Sequence, residues 1–182
     1  MTVGGATLSV RGLGKSFRGL RAVHDVGFDV PEGAIHALIG PNGAGKTTTF
    51  NMIAGVFPPS AGTVELDGRT ITGLRPDRIC DAGIGRTFQI VKPFPGLSVL
   101  DNVLVGALKR EPDVDRARAN ALTVLRELGL DDKRAMTASN LTLPDRKRLE
   151  VVRTLATQPR LLLLDEVMAG LRPTETDQMV AF

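Results

Sequence analysis

The chain predicts an α/β fold in which sheet, first antiparallel and later parallel, is interrupted by a block of helices. Three observations carry that expectation. A glycine-rich run, Gly40 to Thr47, lies between an apolar strand pattern and a helical pattern without breakers. From residue 89 to about 160 the apolar residues recur at helical spacing. Leu161 to Leu164 then form a continuous apolar run, the pattern of a parallel strand covered on both faces.

At 182 residues the chain is long enough for one domain with a proper core. Its apolar fraction of 42% and charged fraction of 24% are those of an ordinary soluble globular protein. The net charge is +3, but the basic residues are scattered among nearly as many acids, which describes a solvated surface rather than a nucleic-acid footprint. Trp and Tyr are absent, and no basic cluster is interleaved with aromatics, so no direct nucleic-acid partner is expected. Cys80 stands alone, which excludes a disulfide framework or a cysteine metal site and fits a cytosolic location. No basic-then-apolar leader and no long apolar window occur, so no direct membrane insertion is expected and any link to a membrane runs through a partner.

Taken in order, Thr7 to Val10 and Ala22 to Val30 alternate as strands around an Arg18-Gly19 turn, an antiparallel opening. Phe17, just before that turn, is a packing residue or a ring on which a base stacks. Ala34 to Ile39 reads as the next strand, and Thr47 to Ala54 as a helix stopped by Gly55. Thr63 to Leu66 runs into the hairpin signal Asp67-Gly68. Pro76 to Ala82 is a short helix closed by Gly83, and Ile84 to Phe88 a strand leading to Gln89.

Ser98 caps a helix to about Lys109 with Asp101 at its third position. Val114, Ala117, Ala121, Leu125 and Leu128 mark a second helix ended by Gly129. Thr142 caps a third, with Pro144 in its first turn, Asp145 three residues past the cap, and Leu149, Val152, Leu155 and Ala156 as its apolar face. The expected organisation is therefore a core from 1 to 88 with the antiparallel part, a helical insert from 89 to 160, and a return to the core from 161 to 182.

The glycine run fits the phosphate-cradling pattern G-x-x-x-x-G-K-[ST] at each fixed position: Gly40, Pro41, Asn42, Gly43, Ala44, Gly45, Lys46, Thr47. Glycines let backbone N–H groups converge on a phosphate, and the helix N-terminus adds partial positive charge. Lys46 reaches the β- and γ-phosphates of a bound nucleoside triphosphate, the Thr47 hydroxyl ligates Mg²⁺, and Thr48 follows at the helix start. The Leu161 to Leu164 run ends in Asp165-Glu166. Adjacent carboxylates at the end of a buried strand need a compensating cation, and beside a P-loop the pair reads as Asp165 holding the metal and Glu166 orienting the attacking water.

The P-loop, Gln89, Leu141 to Asp145, Leu161 to Glu166 and Ala169 to Pro173 fall in the order seen in ATP-binding-cassette (ABC) ATPases, which the chain resembles along nearly its whole length. Gly83 to Gln89 and Leu161 to Leu171 look especially like the ATPase subunits of branched-chain amino-acid importers. The resemblance implies ATP and Mg²⁺ as cofactors, Phe17 as the adenine-stacking ring, and Gln89 as a Mg²⁺ sensor and catalytic residue coupled to membrane subunits. It also implies Thr142 contacting nucleotide across a dimer, a second ATP-binding subunit and integral membrane permeases as partners, and a peripheral place on the cytoplasmic side of the membrane.

Two departures from the family pattern stand out. The family's Leu-Ser-Gly-Gly-Gln signature is here Leu141 to Asp145, in which Pro144 lacks a donor, Leu143 crowds the approach, and Asp145 adds negative charge near a docking γ-phosphate. The family's switch histidine has no counterpart after His36, so an incomplete core sheet is expected. The rival expectations are a nucleotide-binding fragment or regulatory module without turnover, and a soluble ABC ATPase acting on nucleic acid or ribosomes.

Overall fold

The computed structural model describes residues 6–88, 93–165, 167–170, 172 and 176. Gln89 and Glu166 lie outside them. The chain forms two compact units, 1–84 and 85–182.

In the first unit, β1 (Ala6–Phe17) and β2 (Leu20–Pro31) make a long antiparallel hairpin. Both strands outrun the apolar alternation that announced them. Pairing carries them through polar residues, because each residue added to a ladder gains hydrogen bonds whatever its side chain. β3 (Ala61–Leu66) lies on the other side of β1, with Leu8 opposite Leu66 and Val10 opposite Val64, and β4 (Arg69–Thr70) follows the Asp67-Gly68 turn. The sheet order is β2-β1-β3-β4. Its inward residues Leu8, Val10, Leu13, Val23, Val64 and Leu66 are buried. α1 (Lys46–Ile53) buries Thr49, Met52 and Ile53, and α2 (Pro76–Ala82) is closed by left-handed Gly83, as expected.

Ala34 to Ile39 departs from its expectation. These residues form no strand, and Ile35 and Ile39 are 101% and 89% exposed. An apolar run becomes a strand only when a neighbour takes up its N–H and C=O groups, and among the described residues of this unit no ladder reaches it.

The second unit is mainly helical. α3 (Val99–Ala107), α4 (Val114–Glu127) and α5 (Leu143–Leu155) bury one continuous core that includes Val99, Val103, Ala117, Ala121, Leu125, Leu149 and Val152. Gly106 lets α3 come close to α5, since a Cβ there would sit 2.6 Å from the Arg153 carbonyl oxygen. Asn102, fully buried on α3, pins the preceding loop: its Oδ1 accepts from the Phe94 N–H at 2.8 Å and its Nδ2 donates to the Ser98 carbonyl at 2.9 Å. The caps stand where expected, Ser98 and Thr142 each accepting from the N–H three residues on.

β5 (Ile84–Arg86) pairs with β6 (Leu161–Leu163). The run of four leucines is covered less than a doubly buried strand: Leu163 is buried, Leu161 and Leu162 are half-buried, and Leu164 is 48% exposed. Burial on both faces needs layers on both faces, which no run of residues supplies by itself.

Candidate nucleotide site

The P-loop closes on itself. The Ala44 N–H donates to the Pro41 carbonyl at 3.2 Å, and the Lys46 ammonium donates to the carbonyls of Gly40 at 2.7 Å and Pro41 at 2.9 Å. Gly45 stands before α1 with φ 83°, and a Cβ there would lie 2.6 Å from the Ala22 carbonyl oxygen and 2.8 Å from Val23 Cγ2 of β2. Only glycine meets both demands.

Gly45 offers no side chain to cap α1, and the first turn carries no acid. The first N–H groups of the helix are thus left for an external acceptor, and the partial positive charge of the helix end is uncompensated. An anion suits that place, which is the fit a phosphate requires. Lys46 is already aimed across the loop, so a phosphate has only to replace two carbonyl oxygens as its partner. Thr47 supplies a hydroxyl, a hard oxygen of the kind Mg²⁺ takes.

Phe17 ends β1 and is 42% exposed. Its ring meets Phe57 edge-on, with centroids 5.4 Å apart and planes at 85°.

In the second unit, Asp165 lies just past β6 and is 4% exposed. Its Oδ2 accepts from Arg86 Nη2 at 3.3 Å, both side chains being almost fully buried, and its N–H donates to the Thr87 hydroxyl at 3.2 Å. Burial pulls the Arg86 guanidinium below its ordinary value, and the charge and hydrogen bond of Asp165 pull it back up. Asp165 is a buried, oriented carboxylate whose charge is balanced by Arg86, a partner that the motif gave no reason to name. The signal for Arg86 was a charged residue inside the strand expected over Ile84 to Phe88.

α5 carries further residues that sequence reasoning passed over. Lys147, Glu150 and Thr154 share a stripe at helical spacing. The buried Lys147 ammonium donates to the carbonyls of Val167, at 3.1 Å, and Ala169, in the turn beyond Asp165. The Glu150 carboxylate accepts from the Phe88 N–H, and the Thr154 hydroxyl bonds the Arg86 carbonyl at 3.3 Å. Burial raises the Glu150 carboxyl above its ordinary value, against the Phe88 amide and the charges of Arg153 and Lys147. A polar stripe on a helix that also has an apolar face was readable, but its partners were not.

The start of α5 corrects one expectation. Asp145 does not present a bare charge: it is 6% exposed, with its carboxylate held by Lys133 Nζ at 2.7 Å and by the Thr142 hydroxyl at 2.8 Å. The start of α5 is thus occupied by the side chains of Thr142, Asp145 and Lys133.

Residues 23–169 match the ABC transporter family. The chain is 41% identical to the high-affinity branched-chain amino acid transport ATP-binding protein LivG of Salmonella typhimurium, over 94% of this chain and 73% of the relative. It is 38% identical to the corresponding protein BraF of Pseudomonas aeruginosa, over 96% of this chain and 74% of the relative. The chain belongs to the ABC transporter ATP-binding family.

Among solved structures, an ATP-binding cassette of an ABC transporter in its ADP conformation superposes with a TM-score of 0.86 at 28% identity, covering 97% of this chain and 74% of that one. The fold is thus that of an ABC ATPase cassette, a P-loop NTPase with antiparallel sheet and helices. ABC ATPases hydrolyse ATP as the nucleotide-binding subunit of a transporter, and this chain is a member of that family. No helix among the described residues is long and apolar enough to cross a membrane.

Proposed function

We propose that this protein is the ATP-binding and ATP-hydrolysing subunit of an importer for branched-chain amino acids or similar small solutes. It works on the cytoplasmic side of the membrane with integral permease subunits and a second ATP-binding subunit. The carrying observation is the glycine-enforced P-loop running into an uncapped α1, with Lys46 lying across it. The relatives that transport branched-chain amino acids support the choice of cargo.

In this reading the N–H groups at the start of α1 and the loop from Gly40 to Thr48 bind the phosphates, Lys46 neutralises the β- and γ-oxygens, and Phe17 stacks on the adenine. Thr47, Gln89 and Asp165 are oxygen donors to Mg²⁺, and the metal when bound neutralises charge that develops on the γ-phosphate. Arg86 holds the Asp165 carboxylate in place. Glu166 orients the attacking water, and Thr142 faces nucleotide bound by the second subunit.

The occupied cap of α5 favours a second reading, a nucleotide-binding module without turnover. Glu166→Gln separates the two. The protein should keep its ATP affinity while phosphate release falls sharply; equal phosphate release from wild type and variant would remove Glu166 from catalysis.

A further inference from the structure

We propose that Phe57 is a positioning residue for the Phe17 ring, and that Lys15 decides which face of that ring a purine can occupy. The proposal rests on the reading of Phe17 as the base-stacking residue. A phenylalanine at the end of a hairpin, 42% exposed, would ordinarily sample several rotamers. Here it is braced. Phe57 meets it at 5.4 Å and 85°, within the favourable edge-to-face range. The Lys15 ammonium sits 5.3 Å from the centre of the Phe17 ring and 5.0 Å from that of Phe57, and donates to the Pro58 carbonyl at 2.6 Å.

One cation therefore ties β1 to the 57–58 segment and covers one side of Phe17, so a flat base must take the opposite side. Phe57 lies four residues beyond the last residue of α1, the helix that begins at the P-loop. The chain that binds the phosphates thus continues directly into the brace for the base. A ring held in place before the ligand arrives spares the ordering cost that a loose ring would incur on binding.

The test is equilibrium binding of Mg-ATP and of inorganic tripolyphosphate, which has no base, to the full chain. Phe17→Ala should weaken ATP binding and leave tripolyphosphate unchanged; unchanged ATP binding would overturn the stacking reading and this proposal with it. Phe57→Leu should weaken ATP by roughly three- to tenfold with tripolyphosphate again unchanged, and Phe57→Tyr should restore it. If Phe17→Ala loses affinity while Phe57→Leu does not, stacking stands and the brace is wrong. Parallel loss of both ligands in Phe57→Leu would mark a purely structural role and overturn the proposal. Should Phe57→Leu fail to fold, Lys15→Gln carries the test. ATP should weaken without tripolyphosphate, and a loss of tripolyphosphate affinity would make Lys15 a phosphate contact instead.

Discussion

Two helices of this protein begin in opposite states. α1 starts behind Gly45 with no side-chain cap and no acid in its first turn, whereas α5 starts behind Thr142 with its cap made and a buried carboxylate in place. At α5 the Thr142 hydroxyl both accepts from the Asp145 N–H and donates to its carboxylate, Lys133 neutralises that carboxylate, and Pro144 has no N–H to offer. Both helix ends carry the same partial positive charge. A helix start binds an anion where its donors have not been used, and of these two helices it is α1 whose first turn has no side-chain cap.

The largest expected effect lies on the open side. Lys46→Ala removes a charge-assisted contact worth about 1.5–3 kcal/mol, so ATP affinity should drop by roughly ten- to a hundredfold in a calorimetric titration. An unchanged affinity in folded protein would put the phosphates somewhere other than the P-loop.

Thr142→Ala tests the closed side. Loss of the cap should lower stability by about 0.5–2 kcal/mol in chemical denaturation, while ATP affinity of the isolated chain stays at the wild-type value. A fall in that affinity without a loss of stability would mean that α5 is an anion site after all and would erase the contrast.

The smallest effect concerns pH. The Glu150 carboxyl is raised above its ordinary 4.5, chiefly by burial. The folded state then holds its proton more tightly than the unfolded chain, so stability contributed in acid is lost as pH rises from the ordinary value through the raised one. Glu150→Gln keeps an acceptor for the Phe88 N–H but cannot ionise, so its stability should decline less than that of wild type between acid and neutral pH. Denaturation curves at several pH values give the comparison, and parallel declines would show that Glu150 has the same affinity for its proton folded and unfolded.

Much of the site could be read directly because it is local. The P-loop, the Ser98 and Thr142 caps, and the stops at Gly55, Gly83 and Gly129 depend on residues a few positions apart, and each lies where its neighbours require. Phe17 was legible as an aromatic at a hairpin end, but Phe57 and Lys15 beside it were not, since the 57–58 segment reaches β1 across some forty residues of chain.

Local chemistry determined the glycine loop before α1, the helix boundaries and the tight turns, because spacing alone decides whether a donor finds its acceptor within one turn. Only the tertiary structure decided that Arg86 pairs with Asp165, that Lys147, Glu150 and Thr154 grip the ends of β5 and β6, and that Lys133 fills the cap of α5. It also decided that Ala34 to Ile39, apolar as any strand, lies open. The Arg86–Asp165 pair, and any ladder for Ala34 to Ile39, each need a second segment to supply the partner groups, and no periodicity within one segment reveals whether that partner arrives.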